Sequence, residues 1–384
     1  MGGGSGGHIT PIVAVIKRLR SPEVIERLGG EPEIRVWCDR KFSTQAHQLM
    51  PDVRVDIIAA GKFRRYANLN FWYRTFSPWH IWHTHIPNFI DAFKFLGGVI
   101  QSLIKMLIWR PDVVFCKGGY VSLPVGLVAH LYHIPLVIHD SDTVPGLTNR
   151  ILARYADAIG TGAPTKNYPN YPKSKTKYVG IPVASEAKTL TVTEKAKMRK
   201  ALGLSEKCPV VLAMGGGLGA VAINDAMTSN AQRLLNDGSE IILLIGKGRE
   251  VNLRRQKRLH IYQFTDKALQ MEQVADVVVT RAGATTMAEL AAVGAATIIV
   301  PSPYLAGDHQ TKNAKVYEKA QAALYLSEFE MKKKPAKLGD MINNLLDDDK
   351  ERETLKRNLK KFAKPDALND MAAMIVSAIR KSER

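Results

Sequence analysis

The sequence predicts an α/β protein that consists of two Rossmann-like, doubly wound domains, each built on a parallel sheet. Short β-branched runs alternate with longer amphipathic segments along most of the 384 residues, which is the pattern of β-loop-α units. Glycine-rich loops follow several of these runs and open the next helix, as they do in nucleotide-binding α/β domains. The chain is also long enough to bury a large core and to hold two domains.

The composition restricts the classes of protein to which the chain can belong. No segment is long and charge-free enough to span a bilayer, and no signal peptide opens the sequence. Cys38, Cys116 and Cys208 lie far apart without C-x-x-C spacing, so we expect reduced thiols and neither a disulfide framework nor a zinc site. The formal net charge of +18 predicts an anionic partner: nucleic acid, an acidic lipid surface or a pyrophosphate substrate.

The first element of the chain is a glycine loop, GGGSGGHITP, at residues 2–11. Its Thr-Pro pair and the apolar positions that follow predict a helix that begins where the loop ends. A glycine loop that opens a helix lets a phosphate approach the backbone, although its composition alone also suits a flexible linker. The residues at the head of this predicted helix are Ser5, Gly6, Gly7 and His8.

Between residues 61 and 110 aromatic residues are interleaved with lysine and arginine, and an apolar helix is predicted at residues 89–109. Rings and cations in this arrangement suit a membrane interface, whereas the alternative is a buried helix with aromatic core anchors. Three nearby histidines, at positions 80, 83 and 85, have no carboxylate or cysteine beside them, so no metal site is expected. The interface hypothesis assigns a membrane patch to Trp72, Arg74, Trp79 and Trp82, with Lys62, Arg64 and Arg65 meeting anionic lipid.

A second glycine loop, KGGYVS, follows the strand predicted at residues 111–116 and contains Gly118, Gly119 and Tyr120. A further strand at residues 134–138 leads into the turn HDSD, which ends at Asp142, and then into PGLTNR. Residues 156–161 are predicted to close the first domain. The stretch at residues 168–177 is rich in proline, lysine and tyrosine and is predicted to be a linker.

The second domain is predicted to begin with a strand at residues 209–214 and the loop GGGLGA, which alone is a weak dinucleotide fingerprint. Residues 275–314 contain two further β-loop-α units. Strands are predicted at residues 276–280 and 296–300, and Gly294 is predicted to end the helix between them. In a parallel sheet both of their loops fall at the carboxyl edge, so two helix N-termini face one crevice, which suits a phosphorylated ligand. Glu289, one turn into the first of these helices, can accept two hydrogen bonds from a ribose diol; the alternative is an ordinary solvated helix residue.

These motifs together resemble the MurG family of bacterial glycosyltransferases over nearly the whole chain. RAGATTMAELAAVGAATIIVP and DHQTKNA are similar to the nucleotide-sugar half of that family, and GGGSGGHITP is similar to its GGxGGHxxP. KGGYVSLPVGL resembles the family's GGYVSxPxGLAA. Three other segments depart from the family: Asp142 replaces an asparagine in HEQN, Ala184 replaces the arginine of GNPVR, and Gly217 and Leu218 replace two residues of GGSQGA.

The resemblance implies a GT-B fold, in which two Rossmann-like domains have a cleft between them. It assigns residues 1–163 to an acceptor and membrane-facing domain, 164–178 to a linker, 179–363 to a UDP-GlcNAc-binding domain and 364–384 to a helix that crosses back. It implies inverting transfer of GlcNAc from UDP-GlcNAc to lipid I (undecaprenyl-pyrophosphoryl-MurNAc-pentapeptide), which forms lipid II for peptidoglycan synthesis. The implied location is peripheral, on the cytoplasmic side of the cell membrane and against anionic lipid. Other cell-wall synthesis proteins are possible partners, and neither a cofactor nor nucleic acid is expected.

The resemblance also implies roles for individual residues. His8 is the first candidate for the base or a pyrophosphate contact, and Asp142 is the competing base. The glycine loop of Gly118, Gly119 and Tyr120 is expected on the acceptor side. The residues implied to bind UDP-GlcNAc are Ser5, Gly6, Gly7, Asp142, Gly217, Thr265, Ala284, Thr285, Thr286, Met287, Ala288, Glu289 and Gln310.

Two alternatives remain open at the level of sequence. One is another UDP-sugar enzyme of the same fold, such as a lipid glycosyltransferase or a UDP-GlcNAc 2-epimerase. The other is an inactive basic relative that binds membranes or nucleic acid. In the MurG family the first glycine loop leaves the central strand of the N-terminal sheet, so we also expect that strand to be missing from this chain.

Overall fold

The computed structural model describes residues 9–64, 77–78, 81–304 and 308–382, and it divides the chain into two compact units. The first unit comprises Met1–Pro182 and Asp366–Arg384, and the second comprises Val183–Pro365. Each unit alternates helices with the strands of parallel sheets. The predicted fold class, α/β with two Rossmann-like domains, is therefore confirmed.

Local sequence signals set several element boundaries in the first unit. Asp39 accepts a hydrogen bond from the Phe42 N–H at 3.0 Å and so caps the third helix, whereas Gly29, at φ +76°, ends the second. A π-helical turn, Ile81–His85, leads into the fourth helix. In chain order the elements are α1 (Ile9–Leu19), α2 (Pro22–Leu28), β1 (Arg35–Cys38), α3 (Arg40–Leu49), β2 (Arg54–Ile57), α4 (Ile86–Ile108), β3 (Val114–Cys116), α5 (Ser122–Leu131), β4 (Leu136–Asp140), α6 (Leu147–Leu152), β5 (Ala158–Thr161) and β6 (Thr176–Tyr178).

The strands of the first unit form two separate parallel sheets. Strands β3, β4, β5 and β6 make a four-stranded sheet in that order, and β1 pairs with β2. Every residue of β4 is buried, as expected for a parallel strand with both faces covered. Because β3 and β4 are parallel neighbours, the loop after Cys116 and the turn after Asp140 lie together at the carboxyl edge of this sheet.

A cavity of about 150 Å³ lies between the two sheets of the first unit. Its walls include Val36 and Trp37 of β1, Val114 and Phe115 of β3, and apolar residues of α1. Within the described part of the chain, β1 pairs with β2 alone and β3 pairs with β4 alone, so each has one edge without a strand partner.

The stretch predicted to be a linker is instead built into the first unit. Thr176–Tyr178 forms β6 and pairs with β5. Tyr168 and Tyr171 are buried with their rings stacked at 5.3 Å, and the Tyr171 hydroxyl donates to Asp140 at 2.7 Å. The linker prediction was wrong because the tyrosines, which composition grouped with the loop-forming prolines, contribute to the core.

The second unit supplies the next helices and strands. Arg199 is buried in this unit and donates to the Val274 carbonyl at 2.9 Å and to Asp276 at 2.5 Å, which fixes the first helix against the sheet. In chain order the elements are α7 (Val192–Ala201), β7 (Val210–Met214), α8 (Val221–Asn236), β8 (Glu240–Leu244), β9 (Leu259–Tyr262), α9 (Ala268–Val274), β10 (Val277–Thr280), α10 (Ala284–Val293), β11 (Thr297–Ile299), α11 (His309–Lys319), β12 (Leu324–Tyr325), α12 (Glu328–Lys333), α13 (Ala336–Asp347) and α14 (Asp349–Lys360).

All six strands of the second unit belong to one parallel sheet in the order β12-β11-β10-β7-β8-β9. The chain runs outward from β7 to β9 and then returns to the other side of β7 with β10. This reversal creates a topological switch point at the carboxyl ends of β7 and β10, where doubly wound sheets bind their ligands. The loops that follow these two strands are therefore the first place to look for a site.

The last helix, α15 (Ala367–Ser382), belongs to the first unit. Met371 and Ile375 pack in a buried cluster with Val137 and Val179, and Lys177 Nζ lies 2.9 Å from Asp370. The units divide after Pro182 and after Pro365, so each boundary lies a few residues beyond the one predicted from sequence.

Candidate functional site

The loop Gly215–Ala220 follows β7 at the switch point of the second unit. Gly216 and Gly219 have φ values of +76° and +70°, and the Gly219 N–H donates to the Gly216 carbonyl at 2.9 Å. A Cβ added at Gly219 would lie 1.9 Å from the Ile245 carbonyl oxygen, so this position requires glycine. Gly217 lies at the exposed tip of the loop, where its backbone is open to an approaching group.

Two hydrogen bonds connect this glycine loop, and the helix that follows it, to the segment after β8. Arg249, in the loop after β8, donates through Nε to the Leu218 carbonyl at 2.6 Å. Asn224, in the first turn of α8, donates to the Ile245 carbonyl at 2.9 Å. The loop is therefore held in one shape before any ligand arrives, which favours binding.

The loop after β10 is held by buried polar contacts. Arg281 donates to the Val300 carbonyl at 2.9 Å and forms an ion pair with Glu328 at 2.6 Å. Asn313 donates to the Ala282 carbonyl at 3.2 Å. Gly283 then begins α10 without a side-chain cap, so the first N–H groups of the helix are available to an anion.

The residues predicted to bind UDP-GlcNAc alternate in exposure along α10. Thr285 and Met287 are buried, so their side chains face the core and only their backbone can reach a ligand. Ala284, Thr286 and Ala288 are half-buried. Met287 has the helical spacing i, i+3, i+4 with the buried residues Leu290 and Ala291, which marks the packed face of α10; the sequence-based list did not separate this face from the rest.

Glu289 is half-buried on α10, and a second carboxyl, that of Glu272 on α9, lies in its electrostatic reach. Burial raises the pKa of Glu289 to about 7. Burial, and then the negative charge of Glu289, raise the pKa of Glu272 well above its usual range. Glu272 Oε2 is buried and has no hydrogen-bond partner among the described residues. Sequence reasoning missed Glu272, because a single acidic residue in a helix carries no signal of burial.

Asp308 and Gln310 lie at the start of α11, as predicted. This helix follows β11, which is the neighbour of β10 in the sheet. The side-chain oxygen of Gln310, Oε1, accepts a hydrogen bond from the Ser302 N–H at 2.9 Å. The side-chain NH2 group of Gln310 takes no part in this hydrogen bond. Asp308 adopts a left-handed backbone with φ +50°, and its buried Oδ1 has no partner within the described chain. Such a conformation in a non-glycine residue is costly and is typical of binding loops.

Thr265 lies beyond β9, at the outer edge of the same sheet. Its hydroxyl accepts a hydrogen bond from the Lys267 N–H at 3.1 Å. Two strands separate β9 from β10, so Thr265 is farther from the switch point than the other predicted residues.

In the first unit, Gly118 and Gly119 follow β3 with φ values of +97° and +81°. Ser122 closes this loop by donating from Oγ to the Gly118 carbonyl at 2.8 Å. The Tyr120 hydroxyl is hydrogen-bonded to the Asp39 side chain, and burial together with that carboxylate raises the pKa of Tyr120. Tyr120 therefore anchors the loop, in which Gly118 is buried beside Asn149 and Gly119 is half-buried.

The turn after β4 is packed against this loop. His139 is buried with Nε2 2.7 Å from the Gly180 carbonyl. Asp140 is buried and accepts hydrogen bonds from Tyr171 at 2.7 Å and from the Gly146 N–H at 3.3 Å; burial raises its pKa to about 6. Asp142 is half-buried, and its carbonyl accepts from the Tyr168 hydroxyl at 2.6 Å. The acidic turn is thus held from several directions.

Several predicted residues lie outside the described part of the chain. They are Ser5, Gly6, Gly7 and His8 of the first glycine loop, and Arg65, Trp72, Arg74 and Trp79 of the proposed membrane patch. Among the described members of that patch, Trp82 is 70% exposed. Arg64 forms an ion pair with Asp91 at 2.7 Å, so it is already neutralised within the protein.

Helix α4 has one packed face and one exposed apolar face. On the packed face, a Cβ added at Gly98 would lie 2.0 Å from the Ala59 carbonyl oxygen, and Ser102 and Met106 are buried. The alternative of a fully buried helix is therefore wrong. The exposed face carries apolar side chains that are 53–80% exposed, namely Phe89, Phe93, Leu96, Ile100, Ile104, Leu107 and Ile108.

No described helix is long and apolar enough to cross a membrane. No group of three or more His, Cys, Asp or Glu side chains in the described ranges could hold a metal ion.

Comparison with known proteins identifies relatives that match almost the whole chain. Residues 1–161 match the glycosyltransferase family 28 N-terminal domain, and residues 210–371 match the glycosyltransferase family 28 C-terminal domain. The UDP-N-acetylglucosamine--N-acetylmuramyl-(pentapeptide) pyrophosphoryl-undecaprenol N-acetylglucosamine transferase of Geobacillus kaustophilus is 33% identical over 384 residues, which cover 99% of this chain and 98% of that protein.

Solved structures share the fold at lower identity. The crystal structure of Acinetobacter baumannii MurG is 23% identical, with a TM-score of 0.64 over 97% of this chain and 96% of that one. The UDP-GlcNAc 2-epimerase of Neisseria meningitidis has a TM-score of 0.65 at 10% identity, over 98% of each chain, so the fold alone does not distinguish the two activities. The sequence matches do distinguish them, and by those matches this chain belongs to glycosyltransferase family 28, among the MurG transferases.

Proposed function

We propose that the protein is an inverting N-acetylglucosaminyltransferase that transfers GlcNAc from UDP-GlcNAc to lipid I and forms lipid II. The observation that carries this proposal is the arrangement at the switch point of the second unit. There the glycine loop after β7 and the N-terminus of α10 meet the same sheet edge as Glu289. The relatives that share these motifs are transferases by name.

The second unit supplies the groups that a nucleotide-sugar needs. Glu289 offers a carboxylate in a partly dehydrated position, where the two ribose hydroxyls can donate to it. The backbone N–H groups of the loop at Gly217 and of the start of α10 can donate hydrogen bonds to the diphosphate. They act as fixed donors where negative charge develops on the departing UDP. Gln310 and the Asp308 loop are the proposed contacts to the sugar.

The first unit supplies the acceptor side. The C4 hydroxyl of the MurNAc residue attacks the anomeric carbon of GlcNAc from the face opposite UDP, so the configuration inverts. A base takes the hydroxyl proton as the new glycosidic bond forms and the bond to UDP breaks. His8 is the proposed base or pyrophosphate contact and Asp142 the competing base. The backbone of the loop at Gly118 and Gly119 is the proposed contact for the acceptor's pyrophosphate.

We also propose that the protein works as a peripheral enzyme on the cytoplasmic face of the membrane. The exposed apolar face of α4 is a large hydrophobic surface for a water-facing helix. A helix of this kind lies in the interface plane with its apolar side in the acyl boundary. The net charge of +18 adds attraction to anionic lipid. Contacts with other cell-wall synthesis proteins and the absence of a nucleic-acid partner remain predictions.

The direct test is to supply the purified protein with lipid I, or a short-chain analogue, and a panel of UDP-sugars. The expected result is a disaccharide product and free UDP with UDP-GlcNAc only, and loss of both in Glu289→Ala. UDP-GlcNAc incubated without acceptor is the arm for the alternative activity. Formation of the C2-epimeric sugar in that arm, with no disaccharide, would overturn the proposal.

A further inference from the structure

Lys117 is a buried lysine to which none of the roles above assigns a function. It follows β3 directly, comes immediately before Gly118 and Gly119, and is only 1% exposed. A buried ammonium loses its hydration, so it persists only where hydrogen bonds and opposite charges replace that water. The surroundings of Lys117 therefore indicate what it is for.

The groups around Lys117 come from the acidic turn after β4. Its Nζ is hydrogen-bonded to the hydroxyl of Ser141. Burial lowers the pKa of Lys117 to about 8, and the negative charges of Asp140 and then Asp142 oppose that shift. The ammonium thus faces two carboxylates that flank the residue to which it is bonded.

The acidic turn is rigid on its other sides. Tyr171 holds the Asp140 carboxylate and Tyr168 holds the Asp142 carbonyl. Asn149 donates to the His139 carbonyl at 3.2 Å and packs beside Gly118, where an added Cβ would lie 3.1 Å from the Asn149 amide nitrogen. The turn and the glycine loop therefore form one packed unit, and Lys117 connects them electrostatically.

Two carboxylates beside a loop that receives an anion would repel that anion. Like charges in close, partly dehydrated contact are strongly unfavourable unless a cation offsets them. Lys117 is placed to provide the offset from behind the loop, because its backbone belongs to the loop and its ammonium reaches the turn. This placement distinguishes it from a surface lysine that meets the ligand itself.

We propose that Lys117 is a positioning residue for the acceptor: its ammonium offsets the charge of the acidic turn, first that of Asp140 and then that of Asp142, so that an anionic acceptor can approach the Gly118–Gly119 loop. This inference rests on the proposed function. If it is right, the Lys117 side chain affects binding of the acceptor and does not affect binding of the nucleotide. The proposed nucleotide contacts belong to the other unit, Val183–Pro365.

The test is a double-mutant cycle with Lys117→Met, Asp140→Asn and the combined variant, assayed with UDP-GlcNAc and a soluble lipid I analogue. Lys117→Met is expected to raise the KM for the acceptor about tenfold or more, while the KM for UDP-GlcNAc stays within about twofold. Removing the Asp140 charge as well is expected to lower the acceptor KM again, well below that of Lys117→Met. An acceptor KM in the combined variant no better than in Lys117→Met would overturn the proposal.

Further variants separate charge from hydrogen bonding and from folding. Lys117→Gln keeps polarity without charge and is expected to behave like Lys117→Met. Ser141→Ala keeps the charge but removes its partner, and its acceptor KM is expected to stay within about threefold of wild type. If the Lys117 variants unfold, the role of Lys117 is structural and the proposal is wrong.

The same data distinguish this inference from the proposed function. A wild-type protein that makes no disaccharide from lipid I and UDP-GlcNAc contradicts the proposed function. An active wild type whose kinetics are unchanged by Lys117→Met contradicts only the role of Lys117. An equal rise in the KM of both substrates also contradicts it, because a disturbed fold affects donor and acceptor alike.

Discussion

Replacing Phe89, Phe93 and Ile100 with serine is expected to release the protein from lipid vesicles. These side chains lie on the outer face of α4 and are 67%, 60% and 57% exposed, so more than half of each is available for insertion into lipid. Full burial of one large apolar side chain stabilises by about 1.5–3 kcal/mol. About half of that, roughly 1–2 kcal/mol, is therefore expected from each of the three residues.

The three replacements together are expected to remove about 3–6 kcal/mol of membrane binding, or roughly a 10²- to 10⁴-fold loss of partition. The assay is sedimentation with vesicles of neutral and of anionic phospholipid at low and high salt. Wild type is expected to bind both kinds through the apolar face. Binding to the anionic vesicles is expected to be stronger and salt-sensitive, because of the positive net charge.

The second unit offers a matched control. Val192 and Phe329 are 88% and 76% exposed, and their replacement by serine removes comparable apolar surface away from α4. This control is expected to bind vesicles like wild type. If the α4 variant is folded and also sediments like wild type, α4 is not the membrane surface. Charge reversal at Arg64 tests binding to anionic lipid less clearly, because it also breaks the ion pair between Arg64 and Asp91.

Changes at the proposed nucleotide and acceptor contacts have further expected outcomes. Glu289→Ala is expected to weaken UDP binding by about 2–4 kcal/mol in titration calorimetry, because two charge-assisted hydrogen bonds are lost; an unchanged Kd rules the role out. Because burial raises the pKa of Glu289 from 4.5 to about 7, its contribution to the free energy of unfolding is present below the usual pKa and lost as pH rises through about 7. Urea unfolding of Glu289→Gln is expected to show a smaller decline between about pH 5 and pH 8, and an identical decline contradicts this. His8→Ala is expected to lower kcat while UDP still binds, whereas a collapse of turnover in Asp142→Asn alone would assign the base to Asp142.

The strands and the loops of the second unit were predictable because their signals are local. The run predicted to be a strand at residues 276–280 is β10, Val277–Thr280. Gly294, predicted to end the next helix, does so with φ +72°. Apolar runs bounded by glycine specify buried parallel strands almost independently of their neighbours, so the order of elements followed from the sequence.

Helix α4 was predictable as a helix but not in its exposure. Its composition is nearly all apolar, which suits a buried core helix as well as a membrane-facing one. What decides between them is the tight approach of Gly98 to the backbone at Ala59, which fixes the inward face and leaves the phenylalanines outside. The partner at Ala59 lies far along the chain, and periodicity carries no information about it.

Lys117 and Glu272 show most clearly why the chemistry of a site exceeds its motifs. Each is a single charged residue in an otherwise ordinary segment, where the local expectation is a solvated side chain. Burial by distant elements turns one into an ammonium that faces two carboxylates, and the other into a carboxyl that faces Glu289. The family motifs specify where the hydrogen-bond donors and the glycines lie. Buried charged residues then change the electrostatic potential that a substrate meets at those positions. Since the proposed role of Lys117 is exerted through the acidic turn, its substitution should change affinity for the acceptor alone, which separates it from residues that only support the fold.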